Sequence, residues 1–104
     1  MSVLSITFHC TKNNIEDWEN YMDETLVLMT ENLMDVNKYI LSEVHSDYID
    51  EGKNYNLLLV FDNDELRNDF IESELVNITE RIEKKFGENI MIFNTFLNPK
   101  KSRF

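Results

Sequence analysis

The sequence is poor in residues that interrupt a chain. It holds two glycines and one proline among 104 residues, which excludes flexible linkers and low-complexity segments. It holds one cysteine, Cys10, so no disulfide can form within the chain. A lone thiol fits a reducing compartment. No apolar run approaches the roughly 18 residues that cross a bilayer. The first ten residues lack the basic start and cleavage site of a signal peptide, and Ser5 and Thr7 interrupt their apolar run. A cytoplasmic protein without a membrane partner is the expectation.

Positive charge is scarce as well. Ten Lys+Arg face 20 Asp+Glu, for a net charge of −10. Three of the ten, Lys100, Lys101 and Arg103, stand in the last five positions. Residues 1–97 therefore carry seven basic and 20 acidic side chains, a balance of −13. Such a body repels phosphate backbones and anionic lipid, so no nucleic-acid partner is expected. The charge keeps a small protein soluble; it also suits an adaptor that meets a basic protein. There is no Gly-rich phosphate loop and no nucleophile elbow. Asp62, Asp64 and Glu65 lack the surrounding pattern of a calcium loop, and helix capping explains them.

What is present is clear periodicity. Residues 2–9 alternate, with Leu4, Ile6 and Phe8 on one face. Asn13 and Asn14 then offer helix caps, with Glu16 and Asp17 in the first turn. Ile15, Trp18, Met22, Leu26, Met29 and Leu33 recur at spacings of three and four, predicting a helix over 15–29 that ends near 30–32. A second strand is predicted over 36–46, a polar hairpin loop over 47–54 centred on Glu51-Gly52, and a third strand over 55–61. Leu66, Phe70, Leu75, Ile78, Ile82 and Phe86 predict a second helix over 64–86. Gly87 after Lys84-Lys85-Phe86 closes it. Residues 88–97 read as a last strand and Pro99 ends it. The expected organisation is one domain over 1–97 and a flexible basic tail over 98–104.

The order βαββαβ predicts an α+β fold: a ferredoxin-like sandwich, with a four-stranded antiparallel sheet and two helices on one face. The pattern resembles the dimeric α-β barrel group, in which two such sheets pair face to face. It is similar to a small bacterial family of unknown function. The resemblance runs from Ser2 to Leu97. It rests on Ile15-Glu16-Asp17-Trp18, the strand 57–61, and Phe86-Gly87 with residues 90–97. It implies a homodimer. Relatives in the wider group include cofactor-independent monooxygenases, haem-degrading enzymes and ligand-binding modules.

Two helices cover one sheet face, which leaves the other open. The helix side is assigned Leu4, Ile6 and Phe8, then Leu57, Leu59 and Phe61, then Met91, Phe93 and Leu97. The open side is assigned Val3, Ser5, Thr7 and His9, then Asn56, Leu58 and Val60, then Ile90, Ile92, Asn94 and Phe96. Such an apolar face needs a cover, and a second copy of the sheet supplies one. Binding candidates on it are Ser5, Thr7, Asn56 and Phe96, around a space that could hold a small molecule. His9 is the acid/base candidate, because histidine as a residue type titrates near neutral pH; Asn94 is its polar companion. The structural alternative for His9 is a hydrogen bond at a strand end.

His9 and His45 are the only histidines. With the first two strands taken as antiparallel, they fall at opposite ends of the sheet, and no shared metal site is expected. Neither lies on a helix, where haem-degrading relatives place theirs. Cys10 faces away from His9 and reads as a small buried hydrophobe. Acylphosphatases of this fold need an arginine after the first strand, and metal carriers a Cys-x-x-Cys; here Cys10-Thr11-Lys12-Asn13-Asn14 follows. RNA-recognition modules need basic and aromatic side chains on the open face. The expectation is a non-catalytic binding or interaction module without a cofactor. The alternative is a cofactor-independent monooxygenase-type enzyme using His9 and Asn94.

Overall fold

The computed structural model describes residues 1–45 and 51–103. The strands are β1 (Ser2–Cys10), β2 (Lys38–Glu43), β3 (Lys53–Phe61) and β4 (Ile90–Leu97), in one sheet of order β2-β3-β1-β4. The helices are α1 (Ile15–Tyr21), α2 (Val27–Glu31), α3 (Asp64–Glu72) and α4 (Glu74–Phe86). Every strand pairing is antiparallel. This is the ferredoxin-like α+β architecture, with helices on one face of the sheet. Residues 46–50, the end of the predicted second strand and the first part of the predicted hairpin loop, lie outside the described residues.

The first helical segment is continuous but not uniform. A π-helical turn, Met22–Leu26, joins α1 to α2. The wider turn passes the apolar face through Trp18, Tyr21, Met22 and Leu26, all buried. Asn14 stands at the N-cap position of α1 but makes no side-chain cap bond; it closes a 3₁₀ turn, Lys12–Asn14, and its Nδ2 donates to Thr11 Oγ1 at 2.9 Å.

The second segment is two helices rather than one. Ser73 separates α3 from α4 at φ −121°, ψ −81°. Its hydroxyl donates to the Asp69 carbonyl at 2.6 Å, which closes α3 from the side chain. At the start of α3 the cap is Asn63, whose Oδ1 accepts from the Leu66 amide at 2.9 Å. Asp62 instead accepts from Asn37 Nδ2. Gly87 ends α4 at φ +58°, a conformation that lacks a Cβ penalty only in glycine.

The core lies between the sheet and the helices. Leu4, Ile6, Phe8 and Cys10 of β1 and Tyr55, Leu57, Leu59 and Phe61 of β3 meet Trp18, Leu26, Phe70, Ile78 and Ile82. Trp18 stands at its centre, fully buried, with Phe8 at 5.0 Å and Phe86 at 5.4 Å between ring centroids.

Candidate functional site

Directly opposed residues of an antiparallel ladder share a face. On the open face, β1 supplies Val3, Ser5, Thr7 and His9. Across from them β3 supplies Val60, Leu58, Asn56 and Asn54, and β4 supplies Leu97, Thr95, Phe93 and Met91. Lys38, Ile40 and Ser42 of β2 extend the same rows beyond β3.

Three of the predicted binding residues come together here. Asn56 Nδ2 donates to Ser5 Oγ at 2.7 Å and to Thr7 Oγ1 at 3.3 Å. One rung away, His9 Nδ1 donates to Asn54 Oδ1 at 2.6 Å. In the neutral ring that bond leaves Nε2 as an acceptor. His9 is thus a half-buried histidine hydrogen-bonded at a strand end. Around this polar strip stand exposed apolar side chains: Ile40 is 53% exposed, Phe93 52%, Met91 49%, Leu97 41% and Val44 38%.

The face of β4 is the reverse of the sequence expectation. Ile90 opposes Cys10, Ile92 opposes Phe8, Asn94 opposes Ile6 and Phe96 opposes Leu4, so all four lie on the helix side. Met91, Phe93 and Leu97 take the open side. Asn94 and His9 therefore project from opposite faces and cannot act on one substrate atom. Phe96 leaves the candidate binding set as well; its ring lies 5.3 Å from the Arg67 guanidinium carbon. The strand is apolar on both faces, so its alternation carried no phase. Its pairing with β1 supplies one.

The placement of the histidines is corrected too. β1 and β2 both run antiparallel to β3, so they are parallel to each other. His9 and His45 come to the same end of the sheet, with β3 between them. Among the described residues, no group of three or more His, Cys, Asp or Glu is placed to hold a metal ion.

Cys10 is buried, and its Sγ donates to the Thr11 carbonyl at 3.4 Å. Burial, and then the Glu19 carboxylate, push its thiol up to about 11. It is a poor nucleophile at neutral pH. Burial likewise raises the Tyr55 phenol above its usual range, with Glu19 adding to the effect.

Arg67 was not singled out in the sequence, yet it is 6% exposed. Its Nη1 donates to the carbonyls of Val3 and Leu97, each at 3.2 Å, and to Asn98 Oδ1 at 3.3 Å. Asp64 balances its charge at 3.6 Å and accepts a hydrogen bond from Ser2 Oγ. The signal was its position between Asp64 and Phe70, one turn from each on the same helix. Among the described residues, two large cavities lie away from the polar strip. One, of about 520 Å³, is bounded by Met29, Leu33, Val36, Phe70, Ile78 and Arg81 beside the Ser73 break. The other, of about 590 Å³, runs along the outer edge of β4.

Solved structures share this fold at low identity. A dimeric ferredoxin-like protein from an uncultured marine organism is similar with TM-score 0.69 and 14% identity, over 100% of this chain and 99% of that one. HapK from Hahella chejuensis is similar with TM-score 0.71 and 6% identity, over 100% and 97%. SnoaB, a cofactor-independent oxygenase from Streptomyces nogalater, is similar with TM-score 0.62 and 8% identity, over 97% and 95%. No curated protein matches the chain. Residues 1–100 match the profile of one family, and the chain belongs to it: the domain of unknown function DUF4286.

Proposed function

We propose that this chain is a non-catalytic homodimeric binding module of the cytoplasm. Two open sheet faces stack, and the Ser5, Thr7 and Asn56 groups of both copies line a small space between them. The reading rests on one observation: Ile40, Val44, Met91, Phe93 and Leu97, all large and all more than a third exposed, share a single face. Packing a second sheet about 10 Å away removes that surface from water. Each apolar side chain so buried contributes on the order of 1.5–3 kcal/mol when cover is complete. The dimeric ferredoxin-like neighbour supports this arrangement. Polar groups enclosed there, already bonded to one another, would accept a small molecule carrying hydroxyl or amide groups.

The oxygenase in the comparison keeps the enzymatic reading in view. That reading now rests on His9 alone, since Asn94 faces the other way. An acidic adaptor for a basic protein partner is a third reading, carried by the net charge.

The test is light scattering on the purified chain at micromolar concentration. A dimer is expected, and Phe93→Asp should give a monomer that retains its circular dichroism spectrum. A wild-type monomer under those conditions would sink the proposal.

A further inference from the structure

The basic tail is the one sequence feature that the binding reading leaves unused. Residues 98–103 are exposed and lie outside every strand and helix. The groove along the outer edge of β4 offers the complementary chemistry. Glu83 and Glu88 line it together with Ile90, Ile92 and Phe93. Among the described residues β4 pairs only with β1, so no described strand lies beside its outer row of backbone groups. An extended peptide can pair with such an edge.

The tail of the same chain is poorly placed to fill this groove. It leaves β4 at the Leu97 end, where Arg67 holds the Leu97 carbonyl and the Asn98 side chain. The groove lies towards the Ile90 end. At about 3.4 Å per residue, the last cation, Arg103, reaches roughly 20 Å beyond Leu97, whereas Glu88 lies past Ile90, which is itself roughly 24 Å back. Turning back would also shorten the reach.

A second copy removes the difficulty. A two-fold axis that sets β4 antiparallel over the partner's β4 brings the Leu97 end of one chain over the Ile90 end of the other. The tail then arrives by continuing forward. The groove also opens at Met91 and Phe93 onto the face assigned to the dimer, so an occupant crossing the interface enters from there.

We propose that the C-terminal tail of each protomer docks in the β4-edge groove of a second copy, with Lys100, Lys101 and Arg103 meeting Glu83 and Glu88. This rests on the dimer reading above and adds a clasp to it. The tail brings three positive charges to a body that carries −13. Attraction between exposed charges is weak pair by pair and is screened by salt. The clasp should therefore matter most at low ionic strength.

The experiment is zero-length carbodiimide cross-linking of an equal mixture of ¹⁴N- and ¹⁵N-labelled full-length protein, read by mass spectrometry. Lys100 or Lys101 joined to Glu83 or Glu88 should appear as mixed-isotope pairs. The Lys53–Glu43 ion pair, at 2.9 Å within one chain, should appear only as same-isotope pairs. In parallel, the variant K100E/K101E/R103E should dimerise at least about tenfold more weakly at low salt, because both tails of the dimer lose their exposed ion pairs. That difference should shrink at high salt. Same-isotope tail cross-links alone would assign the groove to the chain's own tail and overturn the proposal. A dimer of unchanged affinity in the triple variant, without tail cross-links, would overturn it while leaving the stacked faces standing. A wild-type monomer would overturn both.

Discussion

A side chain at Gly52 would collide with the carbonyl oxygen of Cys10. Gly52 also adopts φ +95°, where a side chain is strained whatever the space. Here the chain entering β3 passes against the end of β1, beside the His9 ring. Gly52→Ala should cost on the order of 2–4 kcal/mol, through both the clash and the backbone strain. Denaturant unfolding monitored by tryptophan fluorescence would measure this. A loss below about 0.5 kcal/mol would show that the two strand ends do not meet in this way.

Arg67 joins the start of β1 to the end of β4 through the Val3 and Leu97 carbonyls. Arg67→Met keeps the aliphatic stem and removes the donors, leaving acceptors short of partners. A cost of about 1–3 kcal/mol is expected, or roughly 5–15 °C in thermal midpoint. Arg67→Lys should restore little, because a compact ammonium on a different stem lacks the planar fork that reaches these acceptors while lying over Phe96. Thermal melts of both variants check this.

The Cys10 thiol sits near 11 in the folded protein, above its ordinary 9.0. Folding favours the neutral thiol, so the stability it contributes is complete below the ordinary value. It is lost as pH rises from there through about 11. At pH 8 a disulfide reagent should label Cys10 far more slowly in the native protein than in denaturant. Equal rates would place the thiol at the surface.

Asn63 caps α3 with its side-chain oxygen, so Asn63→Ala should destabilise the protein by about 1 kcal/mol. Asp62→Ala, which removes only an exposed hydrogen bond to Asn37, should cost less. The reverse ranking in chemical denaturation would restore Asp62 as the cap.

Shortening the chain to residues 1–97 should leave the thermal midpoint within a few degrees at a concentration where the dimer persists, since the tail is exposed. A large drop would mean that Asn98 and its neighbours hold the fold through Arg67. Differential scanning calorimetry on the shortened chain decides this.

Periodicity in the sequence was enough to place four strands, two helical segments and the faces of β1 and β3. Burial leaves a period where one face is wet and the other dry, and Leu4, Ile6 and Phe8 alternate with Ser5, Thr7 and His9 for that reason. The break at Ser73 overturned the single helix expected over 64–86; its one trace in the sequence is the spacing of five between Phe70 and Leu75. Strand alternation put Ser5, Thr7 and Asn56 on the open face, and the pairing of β1 with β3 brought them together. The face of β4 did not. Ile90, Ile92, Met91, Phe93 and Leu97 are apolar in both phases, and only the pairing of Ile90 with Cys10 decides which of them meet the core. The shared end of His9 and His45 likewise depends on β3 lying between β1 and β2, a long-range order that no local pattern encodes. Arg67 is the same case: its helix turn was visible, but the Val3 and Leu97 carbonyls that justify burying a charge meet only when strands distant in sequence lie side by side.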